Sequence, residues 1–264
     1  MRQFITKHYK GLLIAIAVIC ITYIGASMYV RDYYHADPVA VDAMESDGDV
    51  TVTTEKKDKT VPATENVIKR YSNPLVFAPA DGTKADKGLI FYPGGKVEYT
   101  AYAPLMQEFA KNNYVCIVVH MPCNLAVLDG NAADGLIGKY QEQYPSVKKW
   151  YIGGHSLGGA MAASYASKHS EEFAGLYLFA AYSTADLKDL GLDVYSIYGS
   201  EDEVLNMDKY EKYKKNLPDD VHEYVIDGGC HSYFGSYGMQ KGDGNPAISA
   251  DEQVKTTVDF VTYK

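Results

Sequence analysis

One glycine-rich run in this sequence combines residue types and spacing that suit nucleophilic catalysis. Residues 154–158 read Gly-His-Ser-Leu-Gly, a G-x-S-x-G pattern, and a further glycine follows at position 159. A tight turn between a strand and a helix would leave the Ser156 hydroxyl exposed at the helix N-terminus, where the helix dipole favours negative charge. The Leu157 amide would point at the same place and could stabilise an oxyanion. The pattern therefore predicts Ser156 as a nucleophile.

A serine nucleophile needs a base, and the base needs an acid that orients it. Two later loops supply candidates, each just past a predicted strand, at the edge where open α/β sheets bind ligands. His231 is the candidate base, because no other histidine after Ser156 lies in such a loop. Asp202 is favoured as the acid because its side chain is short, with Glu201 and Glu203 as its competitors.

Two other interpretations of the glycine-rich run are weaker. No G-x-G-x-x-G register fits it, which argues against a dinucleotide site. A glycine-rich turn without chemistry is the second alternative, and the strand-turn-helix setting argues against it. The sequence also lacks an H-E-x-x-H motif and clustered histidines, so no metal site is predicted.

Alternating strand-like and helix-like runs begin near Asn66 and position these residues. Such alternation is typical of a mostly parallel sheet with helices on both faces, which is an α/β fold. Strands are predicted at residues 75–79, 88–92, 114–119, 150–153, 176–181, 193–198 and 222–226. Helices are predicted at residues 101–112, 132–140, 157–168, 206–215 and 250–263.

Several of these motifs together resemble the α/β-hydrolase superfamily, and within it the small cap-less hydrolases of the α/β-hydrolase fold-5 type, which are related to dienelactone hydrolases. The resemblance covers about residues 75–264, and residues 91–97, 121–126, 154–159, 198–202 and 228–231 carry it. Dienelactone hydrolases have a cysteine nucleophile, whereas this chain has Ser156 at that position. The connection after the fifth predicted strand, residues 182–192, is too short for a cap domain.

The resemblance implies roles for five residues. Ser156 would be the nucleophile, Asp202 the acid and His231 the base, and Gly95 would lend a second oxyanion amide beside that of Leu157. The expected activity is hydrolysis of a carboxylic ester or thioester through an acyl-enzyme, on a small-molecule ester or a lipid-like substrate, without a cofactor. A catalytically silent binding protein of the same fold and an acyltransferase with the same triad are the alternatives.

The N-terminal quarter of the chain, residues 1–65, has a different composition. Residues 11–30 contain no charged residue, and twenty residues of helix span about 30 Å, the thickness of a bilayer's apolar core. Basic residues before this segment and mostly acidic ones after it predict a cytoplasmic tail at residues 1–10, a single transmembrane helix and an extracytoplasmic enzyme. A cleaved signal peptide and a secreted enzyme are the alternative. Residues 31–65 are expected to be a flexible polar tether, followed by the hydrolase domain at 66–264.

Charge and cysteine content limit the partners. The formal net charge of −9 and the lack of a basic cluster exclude a nucleic-acid-binding role. None of the four cysteines forms a C-x-x-C pair, so a thioredoxin-type or zinc site is not expected. Cys123 and Cys230 could form a disulfide outside the cytoplasm, and two free thiols are the other outcome.

Overall fold

This computed structural model of the protein describes residues 2–54 and 73–262, with the side chains of residues 2–12 and 14 left aside. The chain forms two compact units, Met1–Tyr33 and Tyr34–Lys264. The first unit is helix α1, Arg2–Arg31, which includes the predicted membrane segment at residues 11–30. Within the described part of the chain no helix is both long and apolar enough to cross a membrane, so the predicted transmembrane helix is not confirmed.

The second unit is built on one eight-stranded sheet. Its strands are β1 Val50–Thr54, β2 Leu75–Pro79, β3 Lys87–Tyr92, β4 Tyr114–Val118, β5 Lys149–His155, β6 Gly175–Phe179, β7 Asp193–Gly199 and β8 His222–Ile226. They lie in the order β1-β2-β4-β3-β5-β6-β7-β8. β1 pairs antiparallel with β2, and β2 with β4, whereas every other pair is parallel. The predicted mostly parallel sheet is confirmed.

Helices cover both faces of this sheet. They are α2 Pro38–Asp42, α3 Ala103–Lys111, α4 Leu136–Gln143, α5 Leu157–Ala166, α6 Met207–Lys214 and α7 Ala250–Thr262. On one face, Phe109 of α3 and Val258 of α7 pack in the same core as Phe77, Phe91 and Phe179 of the strands. On the other face, the core holds aromatic and small residues of α4 and α5. Because β2 to β6 are buried along almost their whole length, both faces of the sheet must be covered there, as in other mostly parallel sheets.

The prediction of a tether is wrong for residues 34–54, which pack onto the domain. The Tyr34 amide donates to the Lys96 carbonyl at 2.7 Å, and β1 extends the sheet along the whole of β2. Val50 of β1 is fully buried, and Val52 packs against the same core. A strand at the edge of a sheet needs only one apolar face, so a polar composition did not prevent its formation. Residues 55–65 lie outside the described residues.

The connection between β6 and β7, residues 180–192, contains turns and bends but no helix or strand. No cap domain is inserted there, in agreement with the short connection predicted from the sequence. The carboxyl ends of β5, β6, β7 and β8 therefore open directly onto the loops that follow them, and the candidate site lies along this edge.

Candidate active site

The candidate nucleophile lies in a strained turn between β5 and α5. Ser156 has φ 51° and ψ −122°, a backbone conformation that residues with a side chain rarely adopt. Its amide donates to the Phe179 carbonyl at 2.9 Å, which ties the turn to β6. A Cβ on Gly158 would collide with the carbonyl oxygens of Tyr92 and Pro93. The flanking glycine therefore lets the helix start against the end of β3, and the hydroxyl of Ser156 is left at the helix N-terminus.

His231 and Asp202 form a buried pair at the ends of β8 and β7. The His231 Nδ1 atom lies 2.8 Å from Asp202 Oδ2, and the two side chains are 1% and 0% exposed. A carboxylate only accepts hydrogen bonds, so Nδ1 carries the proton and donates it, and Nε2 is left with a lone pair. Among the described residues this buried Nε2 atom has no hydrogen-bond partner. The imidazole is thus oriented as a base with its acceptor nitrogen unused.

The aspartate is itself held by the loop after β7. Its Oδ1 atom accepts the amide N–H groups of Val204 at 2.9 Å and Leu205 at 2.8 Å. The competing acids point elsewhere, because Glu201 and Glu203 are exposed and the Ser200 hydroxyl donates to Glu201 at 3.0 Å. Of the three acidic residues that the sequence left open, the structure brings only Asp202 to the imidazole.

Ser156 and His231 line one cavity of about 230 Å³. The Ser156 hydroxyl makes no hydrogen bond to the free nitrogen of His231, and such bonds are often long before a substrate binds. The rest of the lining is mostly small or apolar and includes no charged side chain, being made of Leu157, Ala160, Ala180, Ala181, Tyr182, Val204, Leu205 and Asn206. The cavity fits a small, uncharged group placed beside the serine.

The two predicted oxyanion donors lie on adjoining segments. Gly95 belongs to the turn after β3 and packs on Leu157, since a Cβ on Gly95 would lie 2.8 Å from Leu157 Cδ2. The turn is closed by a hydrogen bond from Val97 to the Gly94 carbonyl at 3.3 Å, and Lys96 within it has φ 60°. In the part of the chain that the structure describes, the Gly95 amide has no hydrogen-bond partner. Both amides are therefore near the serine at a helix start and a turn, where donors are otherwise unsatisfied.

A buried histidine next to the serine was not predicted to have a role. His155 is fully buried, and its Nδ1 atom lies 2.8 Å from the Tyr102 hydroxyl, which accepts the Gly94 amide at 2.9 Å. Burial, together with the nearby imidazole of His231, holds the pKa of His155 well below its ordinary value. His155 is therefore neutral in the folded protein.

Gln253 of α7 holds the loop that carries His231. Its carboxamide is fully buried, and it binds the backbone of Cys230 twice: Oε1 accepts the amide N–H at 2.9 Å, and Nε2 donates to the carbonyl at 2.8 Å. The sequence contained one signal for this contact, because Gln253 is a polar residue on the inward face of α7 beside Val254 and Val258.

Asp243 binds the same loop from its other side. It accepts the amides of His231 at 3.2 Å and Ser232 at 2.8 Å, and the Ser232 hydroxyl at 2.6 Å. Burial raises the pKa of Asp243, but these hydrogen bonds outweigh burial and the net pKa lies below its ordinary value. Nothing in the sequence around this glycine-rich loop singled out Asp243.

The cysteines take no part in this arrangement. Cys123 and Cys230 are both free, so the possible disulfide between them is not formed. Burial raises the pKa of the Cys230 thiol to about 12, which keeps it protonated and unreactive beside His231.

Known proteins share the fold of this chain. Residues 88–255 match the model of the alpha/beta hydrolase family. The chain belongs to the α/β hydrolase family. Among solved structures, the crystal structure of a predicted CIB-like hydrolase from Thermoplasma acidophilum matches with a TM-score of 0.55 at 15% identity, over 81% of this chain and 100% of that one. At that identity the similarity concerns the fold alone. No curated protein sequence matches the chain.

As a member of the α/β hydrolase family, the chain has the order of candidate residues that this fold uses. Ser156 follows β5, Asp202 follows β7 and His231 follows β8, which is the order nucleophile, acid, histidine. The family and the fold support an enzyme with a hydrolytic function. Which bond it cleaves is a question for the chemistry of the site.

Proposed function

We propose that this α/β hydrolase is a serine hydrolase that cleaves a carboxylic ester or thioester. The single observation that supports this most is the buried His231–Asp202 pair, whose imidazole lines the same cavity as Ser156 and has an unused Nε2 atom. The buried Nε2 atom of His155 has no partner among the described residues either, so the unused nitrogen alone does not mark a base. The carboxylate partner and the cavity shared with Ser156 distinguish His231 from His155. An imidazole oriented by a carboxylate is what a serine nucleophile requires.

In the proposed reaction, the Ser156 hydroxyl attacks the carbonyl carbon of the substrate and His231 takes the hydroxyl proton at Nε2. The carbonyl oxygen becomes an oxyanion and accepts hydrogen bonds from the amides of Leu157 and Gly95. The tetrahedral intermediate then expels the alcohol or thiol, which receives the proton from His231, and an acyl-enzyme remains. Water repeats the sequence with His231 as base and releases the acid. Asp202 keeps the imidazole in the required tautomer throughout.

The cavity favours substrates with a small and uncharged group beside the serine, because it encloses about 230 Å³ and none of the other residues lining it carries a charge. Short p-nitrophenyl esters are therefore suitable probes.

The test compares wild type with Ser156→Ala and with Ser164→Ala, a control on the same helix outside the cavity lining. We expect a fluorophosphonate probe to label wild type and Ser164→Ala but not Ser156→Ala. We also expect Ser156→Ala to lose several powers of ten in the rate of p-nitrophenyl acetate hydrolysis. A wild-type protein that is neither labelled nor active would refute the proposal and favour a binding protein of the same fold.

A further inference from the structure

Three segments that are distant in sequence meet at one buried tyrosine hydroxyl. Tyr102, just before α3, accepts the Gly94 amide at 2.9 Å and lies 2.8 Å from His155 Nδ1. Gly94 belongs to the turn after β3, and His155 is the residue before Ser156. Both side chains are 0% exposed. The hydroxyl therefore links the turn that carries Gly95 to the turn that carries the serine.

The direction of this chain of hydrogen bonds follows from the number of protons. A phenol has one proton to donate. Because the backbone amide of Gly94 can only donate, the Tyr102 oxygen accepts there. The bond to His155 has two forms: with the imidazole proton on Nε2 the Tyr102 hydroxyl donates to Nδ1, and with the proton on Nδ1 the imidazole donates to the Tyr102 oxygen. We assign the first form, because it gives the single phenol proton an acceptor. Burial and the neighbouring His231 lower the pKa of His155, which agrees with a neutral ring.

The Gly94 backbone, the Tyr102 hydroxyl and the His155 ring are closely packed. A Cβ on Gly94 would lie 2.7 Å from the Tyr102 oxygen and 2.8 Å from His155 Nδ1, so the backbone of the turn lies directly on the pair. The Tyr102 ring packs on Phe91 with centroids 4.9 Å apart, and the His155 ring lies 4.5 Å from that of His231. Hydrogen bonds in such a buried apolar setting are costly to break.

We propose that Tyr102 and His155 are positioning residues that fix the Gly94-Gly95 turn over Ser156, so that the Gly95 amide meets the oxyanion. This inference rests on the proposed function, because it concerns the second oxyanion donor of the same reaction. The Gly95 amide has no partner among the described residues, so only the turn itself aims it. An oxyanion donor lowers the activation barrier only when it lies at hydrogen-bond distance from the oxyanion of the transition state, and contact with the ground-state substrate does not replace this.

Packing alone makes the opposite prediction. The Tyr102 ring lies among aromatic side chains, where phenylalanine fills nearly the same volume. If the ring only fills the core, Tyr102→Phe should fold and react like wild type. If the hydroxyl positions the turn, the same variant should fold and react slowly, because the Gly94 amide and His155 Nδ1 lose their shared partner.

The experiment measures kcat and KM for p-nitrophenyl acetate and the inhibition constant of phenylboronic acid, which mimics the tetrahedral intermediate. For Tyr102→Phe we expect kcat to fall about 10- to 100-fold with KM little changed, and the inhibition constant to rise by a similar factor. The matched control is Tyr114→Phe, which removes another buried hydroxyl of the same core, bonded to Tyr177 at 2.9 Å and not to the turn. The control should change neither constant by more than about threefold.

A second pair of variants decides the matter if Tyr102→Phe does not fold. The carboxamide oxygen of His155→Asn can take the place of Nδ1 and accept the Tyr102 proton, whereas His155→Leu cannot. We expect kcat of the Leu variant to be at least about tenfold below that of the Asn variant.

Two outcomes would overturn the inference while the proposed function stands. One is a Tyr102→Phe variant with kcat and boronate inhibition within about threefold of wild type. The other is an equal loss of kcat in Tyr114→Phe or in both His155 variants. A wild-type protein that a fluorophosphonate does not label at Ser156 would instead refute the proposed function, and the positioning role would fall with it.

Discussion

Replacing Asp202 by asparagine would test the acid without disturbing the loop that carries it. The Oδ1 atom of Asp202 accepts two backbone amides, those of Val204 and Leu205, and Oδ2 faces His231 Nδ1. In Asp202→Asn the side-chain oxygen would keep the place of Oδ1, because an NH₂ group there would face two donors. The NH₂ group is then directed at the imidazole. His231 would have to accept at Nδ1 and carry its proton on Nε2, so it could not take the proton of Ser156.

The expected loss of activity follows from the free-energy cost of rotating the side-chain carboxamide of the Asp202→Asn variant by about 180°. A flip would restore the acceptor to His231 but would leave the Val204 and Leu205 amides without a partner, at about 1 to 3 kcal/mol each, or about 2 to 6 kcal/mol together. With 1.4 kcal/mol per factor of ten, the productive form would be about 30-fold to about 10⁴-fold less populated. The same replacement in a Ser-His-Asp triad lowers kcat by about 10⁴-fold, at the upper end of this range.

The assay is steady-state hydrolysis of p-nitrophenyl acetate, with urea unfolding of each variant alongside. We expect Asp202→Asn to lower kcat by about 30-fold to about 10⁴-fold and to leave KM unchanged. Its urea midpoint should lie near that of wild type, because both backbone hydrogen bonds to Oδ1 remain. Glu203→Gln, one residue along and exposed, should leave kcat unchanged. A crippling effect of Glu203→Gln with an active Asp202→Asn would refute the reasoning and show that the acid is misassigned.

Two further predictions concern stability. In the folded protein the neutral ring of His155 carries one proton and takes up no second one, whereas in the unfolded chain it gains the second proton below its ordinary pKa of 6.5. His155 therefore contributes stability that is present above pH 6.5 and lost as the pH falls, by up to about 1.4 kcal/mol per pH unit. The free energy of unfolding of His155→Asn should therefore decline less between pH 7 and pH 5 than that of wild type, and parallel curves would contradict a buried neutral histidine. Gln253→Leu leaves the amide and carbonyl of Cys230 buried without partners and should lower the free energy of unfolding by about 2 to 6 kcal/mol. The control is Gln107→Leu, because the Gln107 amide donates to partly exposed carbonyls, and this variant should lower the free energy of unfolding by less. An equal loss in both variants would contradict the role of Gln253 in holding the backbone of Cys230.

The elements that hold the three candidate residues could be predicted because their signals are local. A buried strand is a continuous apolar run, and β2 is such a run that begins and ends at the predicted residues. The partly exposed β8 also begins and ends at the predicted residues. The nucleophile turn was predictable from five consecutive residues. Asp202 and His231 were predictable because both follow strands whose carboxyl ends meet at one edge of the sheet.

Predictions failed where the outcome depends on contacts between distant segments. β1 is a polar run that becomes a strand only because β2 offers it a partner and the core receives Val50. Helix α4 was expected to begin at residue 132 but begins at Leu136, because Gly135 has φ 73°, which is not a helical conformation. The ring of Tyr102 packs in the core. The proposed role of its hydroxyl depends on the positions of Gly94 and His155 in the fold, and no periodic pattern in the sequence predicts those positions.

Asp202 joins two properties of the site that are usually assigned to different residues. Through Oδ2 it orients the base, and through Oδ1 it fixes the backbone of Val204 and Leu205, whose side chains line the cavity beside Ser156. Asp202 therefore fixes both the tautomer of His231 and part of the cavity wall, which a substrate group must fit in the proposed reaction. Because no cap domain is inserted between β6 and β7, the loop after β7 itself forms part of the cavity wall beside Ser156. It follows that substitutions at Val204 or Leu205 can reshape the cavity while the carboxylate stays in place, whereas removing the Asp202 side chain must disturb the wall and the base together.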